Sequence, residues 1–394
     1  MITHYIKLIW NRKRANMLMI IEVFFSFLVI FAIASISIFT YRNYVNPIGF
    51  EYETSEATEG SESSQEDTKK NIVLHYKKLI FNYLKKYPEI EIYAASGPNV
   101  PYVFNGYSST VENNEGQKIN SQIFHNDDHY ADAMQLNLVE GRWFSRTDDA
   151  SRLKPVVINK HLKDHFFEDD QAVGKVVKLE DHEFQVVGVV EEYRQHGEFV
   201  KSEGAVFQRL NIDNEDFWYN NILIKVKPGT GAAFEEQLIK DLGTLVPGWT
   251  FIISSLERLR DLRKRTAWIP LVIIYCVCGF LIINVALGLF GVLWYSINRR
   301  YSEIGLRRAV GSTSAGIQYQ FLIEILILST FGILLGCVFA FQFPLLNVFN
   351  ISSGIYILAI LVSIFILYVL AAICAWYPGY QASKIEPAVA LHDE

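Results

Sequence analysis

Apolar residues crowd into four long stretches of this chain, at approximately 17–40, 268–296, 316–341 and 351–377, whereas residues 41–266 interleave apolar and polar positions. Each stretch holds about 20 or more mostly apolar residues, enough for a helix to cross about 30 Å of hydrocarbon at about 1.5 Å per residue. Within 41–266 the periods are shorter. Apolar residues recur at helical spacing from Ile72 to Leu84, and EIEIYAAS and VPYVFNGY then read as strands. Further on, NNILIKVKP reads as a strand, GTGAAFEEQLIKDLGTLV as a helix and WTFIISS as a strand. These two helix-plus-strand units, one from each flank, predict a single α+β subdomain. PVVINKHLKDHFF, KVVKLEDHEFQVVGVVEEY and GAVFQRL predict a second, β-rich subdomain inserted at about 148–210.

The extremes of polarity refine this picture. Residues 51–70, EYETSEATEGSESSQEDTKK, are acidic, rich in Ser and Thr and nearly devoid of large apolar side chains, which predicts a flexible loop. Just before the second stretch, Arg258, Arg260, Arg263, Lys264 and Arg265 alternate with Leu256, Leu259 and Leu262, as in a stalk helix over 255–266 that continues into the membrane. Tyr5, Ile6, Leu8, Ile9 and Trp10 among basic residues predict an amphipathic helix over 1–16 on the inner membrane surface. Lys7, Arg12, Lys13 and Arg14 before the first span, and Arg299, Arg300, Arg307 and Arg308 in the loop 297–315, both belong inside by the positive-inside rule. The two assignments agree, and they put 41–266 outside and the tail 378–394 inside. Ala32-Ile33-Ala34 resembles a signal cleavage site, but the apolar run continues to Phe39, so a retained anchor is expected. The expected fold class is a membrane protein with four transmembrane α-helices plus a large α+β extracytoplasmic domain of two subdomains between the first and second.

The composition of the 394 residues, 51% hydrophobic and 20% charged with a net charge of −6, argues against a nucleic-acid binder. Cys276, Cys278, Cys337 and Cys374 all lie in the apolar stretches, so no disulfide is expected in the outer domain. Neither a Walker-type phosphate loop nor an H-E-x-x-H or G-x-S-x-G motif occurs, and no catalytic residues are assigned. The pairs His125/His129 and His161/His165 have helical spacing but no third ligand in reach along the sequence, so they read as surface residues and no metal site is expected.

Acids inside spans are costly, at least about 2.5 kcal/mol at mid-depth. Glu22 lies near the inner end of the first span and Glu324 about two turns into the third, where it can pair with the basic loop. Gly332 and Gly336 have the small-xxx-small spacing of close helix packing.

The segment EIGLRRAVGSTSAGIQYQFLIEILILSTFGILLG, residues 303–336, resembles the signature of MacB/FtsX-type ABC transporter permeases. Glu303, Ile304, Gly305, Arg307, Arg308, Ala309, Gly311, Phe321 and Glu324 match that signature in order and spacing. The C-terminal PGYQASKIEPAVALHDE and the outer runs LNLVEGRWFSRTDD and AVGKVVKLEDHEFQVVGVVEEY are similar to the family's ending and to its periplasmic core. The resemblance implies a permease subunit of the inner membrane with its domain in the periplasm, itself without cofactor or catalysis. It further implies a separate ABC ATPase that binds ATP and Mg, and a second permease, identical or paralogous. A periplasmic adaptor and an outer-membrane channel are further partners of that kind. Glu303, Ile304, Gly305, Leu306, Arg307, Arg308 and Gly311 would form the ATPase-coupling loop. Ile304 and Leu306 would be available for burial in the ATPase, and Arg307 and Arg308 for its acids. Export of a periplasmic substrate is the first expectation; control of an external partner without transport, or a membrane-anchored receptor, are the alternatives.

Overall fold

The computed structural model describes residues 13–62, 70–103, 106–168, 170–211 and 221–385. The expected inner-surface helix over 1–16 and the end of the C-terminal tail lie almost wholly outside them. The chain divides into a membrane unit, residues 1–42 and 268–394, and an outer unit, residues 43–267.

In the membrane unit, four helices are long and apolar enough to span: α1 (Lys13–Val45), α5 (Leu256–Asn298), α7 (Ser314–Ala340) and α8 (Ser353–Ser383). Local chemistry accounts for their ends. Helix α1 stops at Val45 because Asn46 precedes Pro47, whose ring disfavours helical geometry in the residue before it. Thr313 caps α7 by accepting a hydrogen bond from the Gly316 amide at 3.2 Å. The core of the unit joins Val23, Phe27 and Ile30 of α1 to Ile325 and Leu328 of α7 and to Ala359 and Leu367 of α8. Gly332 and Gly336 set the approach of α7 to α1. A Cβ on Gly332 would lie 2.7 Å from Val23, and one on Gly336 would collide with the Phe27 ring.

The outer unit holds helices α2 (Lys70–Leu84), α3 (Lys160–Phe167) and α4 (Ala232–Leu245). Its strands are β1 (Ser55–Glu62), β2 (Ile90–Ser96), β3 (Ser108–Asn113), β4 (Lys118–Asn126), β5 (Leu138–Gly141), β6 (Lys154–Asn159), β7 (Val176–Leu179), β8 (His182–Val190), β9 (Gly204–Arg209), β10 (Asn221–Val226) and β11 (Trp249–Ser255). One half is an open antiparallel sheet in the order β11-β1-β10-β2. Ile80 and Leu84 of α2 and Leu238 and Leu242 of α4 pack on Ile222, Ile224, Phe251 and Ile253 of this sheet. The two flanks of the domain therefore do build one α+β layer.

In the other half β4, β3, β7, β8, β6 and β9 pair in succession, and a parallel β4–β9 ladder closes them into a six-stranded ring. Val111, Ile123, Val156, Ile158, Val177 and Val206 fill it, with Leu162 and Phe166 of α3 packed against it. The halves meet where β2 and β4 share a single residue pair, Ser96 with Asn126. The buried Asp127 carboxylate stitches that seam by accepting from the Ala95 amide at 2.8 Å.

Three expectations are corrected. The supposed loop 51–70 contains β1, which hydrogen-bonds to β10 on one side and to β11 on the other. Backbone pairing on both edges overrides its poor strand composition; residues 63–69 lie outside the described set. VPYVFNGY contributes no strand in its described residues, because Pro101 lacks an amide donor and Tyr102 sits at a φ of +65°. The β-rich subdomain does not start at about 148: β3 and β4, residues 108–126, are members of its ring.

Candidate functional site

The chain leaves α5 at Asn298 and turns straight into the short helix α6 (Tyr301–Ala309). Glu303 in its first turn and Arg307 and Arg308 in its last complement the helix dipole. Gly311, at a φ of +104°, supplies the left-handed residue that ends the segment and lets α7 begin. Ile304 and Gly305 are buried. Ile304 packs with Ile297 of α5, Ile317 and Phe321 of α7, and Ala382.

Polar contacts fasten the same face. Arg307 donates from Nη2 to Glu303 Oε1 at 2.7 Å and from Nη1 to Gln320 Oε1 of α7 at 2.8 Å. Arg308 donates to the Ser383 carbonyl at the end of α8. At the root of the helix Arg300 makes a bidentate pair with Glu324 of α7, both bonds 2.8 Å, with the two side chains 8% and 12% exposed. The opposite face is apolar and bare: Leu306 is 54% and Val310 82% exposed, with Ala309 between them.

Two sequence-based readings change. Ile304 is already spent on the protein's own core, and of the two apolar residues only Leu306 is exposed. Arg307 and Arg308 are engaged by Glu303, Gln320 and Ser383 because α7 and the end of α8 pass beside them, so the pair is not a free basic face. The expected pairing of Glu324 with the basic loop occurs, through Arg300. That residue stands three positions before the 303–311 signature; the sequence marks it only as one of four arginines in the basic loop, and the cost of an unpaired acid in a span points to the loop without choosing among them. Gly332 and Gly336 belong to the α1–α7 contact and not to this site. Glu22 of α1 lies against Gly288 of α5, where any Cβ would collide with its carboxyl group.

The outer unit has its own junction, where the chain enters and leaves it. The loop after β8 carries Arg194 and Glu198, both nearly fully buried. Arg194 donates from Nη1 to the carbonyl of Asn43 at 2.6 Å, and from Nη2 to that of Val200, and burial pulls its pKa below the ordinary guanidinium value. Glu198 accepts from Arg260 Nε of α5 at 2.6 Å and lies 3.6 Å from Lys264. Arg263 donates from Nε to the Tyr102 carbonyl at 2.9 Å, and the Arg260 guanidinium stacks 4.1 Å from the Tyr52 ring. The basic run of the stalk, anomalous by the positive-inside rule, is thus taken up by a local polar network. One loop grips both the exit of α1 and the start of α5.

Residues 34–241 match the model of the MacB-like periplasmic core domain, and residues 275–387 match that of the FtsX-like permease C-terminal domain. The chain is 28% identical over 292 residues to the macrolide export ATP-binding/permease protein MacB of Pasteurella multocida, a match covering 70% of this chain and 44% of the relative. It is also 28% identical over 270 residues to MacB 2 of Aeromonas hydrophila, covering 66% of this chain and 41% of that protein. The chain therefore spans less than half the length of these relatives. Among solved structures, the periplasmic region of MacB from Actinobacillus actinomycetemcomitans is similar over 57% of this chain and 98% of its own, at 16% identity and a TM-score of 0.40.

Proposed function

The chain belongs to the family that joins a MacB-like periplasmic core domain to an FtsX-like permease C-terminal domain, and from that membership we propose that it works as an inner-membrane permease driven by an ABC ATPase on its cytoplasmic side. Helix α6 is the docking element. Nucleotide-driven movement of the ATPase shifts α6, and the shift passes into α5 and α7, which flank it in sequence. Helix α5, continuous in sequence from Leu256 to Asn298 with Pro270 inside it, carries the displacement into the outer domain for export of a periplasmic substrate. ATP and Mg are held by the ATPase. A second permease copy or a paralogue completes the assembly, and a periplasmic adaptor with an outer-membrane channel is the exit route such a system uses.

One observation carries the reading: α6 is bolted to α7 on one face by Ile304, Arg307 and the Arg300–Glu324 pair at its root, while its other face shows Leu306, Ala309 and Val310 to the surroundings. An exposed apolar tip on a rigidly held short helix suits insertion into a complementary cleft. Co-expression of the chain with its ATPase tests this. Leu306→Glu with Val310→Glu is expected to abolish co-purification, whereas Arg300→Met with Glu324→Leu, which replaces a buried ion pair by apolar groups, is expected to retain it. Undiminished binding by the Leu306/Val310 variant would refute docking through α6. A purely mechanical role, acting on an outside partner without transport, draws support from the membrane core, whose buried polar side chains among the described residues are serines such as Ser26, Ser329 and Ser363 apart from the Arg300–Glu324 pair at the root of α6.

A further inference from the structure

One mouth of the six-stranded ring opens into a cavity of about 660 Å³, well within the range of about 300–1,000 Å³ found for small-molecule sites. All six strands of the ring, or residues directly flanking them, contribute to its wall. Its floor is apolar. Ile123 of β4, Leu179 of β7 and Phe184 of β8 are each less than a tenth exposed and belong to the packed interior of the ring.

The rim carries charges of both signs. Of the acids there, Asp148 is paired with Arg142 and Asp149 shares Arg209 with Asp128, while Glu180 accepts from the Tyr107 hydroxyl at 2.7 Å. Arg152 and Lys154 are exposed at the same rim, and among the described residues neither has an ion pair. Two cations without an ion-pair partner among the described residues thus stand over an apolar floor, beside a Glu180 carboxylate that is hydrogen-bonded but keeps its charge.

We propose that this mouth binds a small amphipathic organic anion, its carboxylate or phosphate held by Arg152 and Lys154 and its apolar body resting on Ile123, Leu179 and Phe184. Charge-assisted hydrogen bonds supply orientation, and removal of the apolar body from water supplies most of the affinity. The cavity lies wholly in the outer unit, so the site stands or falls independently of docking through α6.

The test is calorimetric titration of the full chain in nanodiscs of neutral phosphatidylcholine with 2-naphthyl phosphate and with 2-naphthoate, alongside inorganic phosphate, 2-naphthol and empty discs. One saturable site per chain is expected for one or both naphthyl anions, which also tells phosphate from carboxylate as the preferred head group. Inorganic phosphate and 2-naphthol should each bind at least about ten-fold more weakly. Arg152→Glu with Lys154→Glu, both exposed and removable without disturbing the fold, should weaken binding at least about ten-fold, as should Ser151→Trp, which fills the rim. An unchanged circular dichroism spectrum serves as the folding control for each variant. Absence of saturable heat for both anions, equal binding of inorganic phosphate, or undiminished binding in the double variant would overturn the proposal.

Discussion

Glu56 occupies a position in β1 where strand alternation would put a core side chain, and it is only 4% exposed. Burial, and secondarily the neighbouring Glu235, push its carboxyl pKa up to about 7, with Arg258 opposing. Since the folded value lies above the unfolded one, the protonated form is favoured by folding. That contribution is complete below about pH 4.5 and is lost as the pH rises through about 7. Glu56→Gln is therefore expected to stabilise the outer domain at pH 8, on the order of 1–2 kcal/mol once solvent screening is allowed for, and to do little at pH 4. Denaturant unfolding of wild type and variant at both pH values measures it; an equal gain at both would assign the effect to packing and not to titration. Single residues such as this were the least legible part of the sequence. Nothing in SEATEGSE announces a buried carboxylate, and nothing in the sequence distinguishes Arg300 from the other loop arginines as the partner of Glu324.

Elements were read according to where their stabilisation comes from. The spans were plain, because their length and hydropathy are properties of their own residues. Strand β1 was opaque: its order comes from β10 and β11, distant partners that no local window contains. The Gly332/Gly336 spacing lay between these cases, suggesting close packing without naming the neighbour, which is α1 through Val23 and Phe27. Gly336→Ala forces the Phe27 ring aside and is expected to lower the stability of the membrane unit by about 1–3 kcal/mol. Pairing it with Phe27→Leu should restore much of the loss. Thermal unfolding of the detergent-solubilised chain and its two single and one double variants closes the cycle, and strict additivity would mean that the two positions do not meet. The segment 303–311 stood out in the sequence by its signature between two spans; which of its faces was free did not, since that depends on Gln320 and Ser383 arriving from other helices.

At the scale of the whole chain, the division into a membrane unit and an outer unit followed from the sequence, and so did the joining of the outer domain's two flanks into one layer. The closed ring and its true beginning at β3 did not, because ring closure depends on the non-local β4–β9 pairing. Nor was it visible that Arg194 and Glu198 hold the two connecting segments together. Glu198→Ala leaves Arg260 and Lys264 without their shared carboxylate, and breaking so buried a pair costs on the order of 3 kcal/mol. Hydrogen exchange should then show faster amide exchange over 256–264 with the ring strands unaffected, and unchanged exchange over 256–264 would remove Glu198 from that role.

Strand β1 follows closely after α1 and runs alongside β11, which leads directly into α5, with seven paired positions from Glu56–Ser255 to Glu62–Trp249. The outer domain therefore begins and ends at one spot. An insert whose two ends are adjacent can be exchanged as a cassette without respacing the helices on either side of it, so a different outer domain can be grafted onto the same four spans.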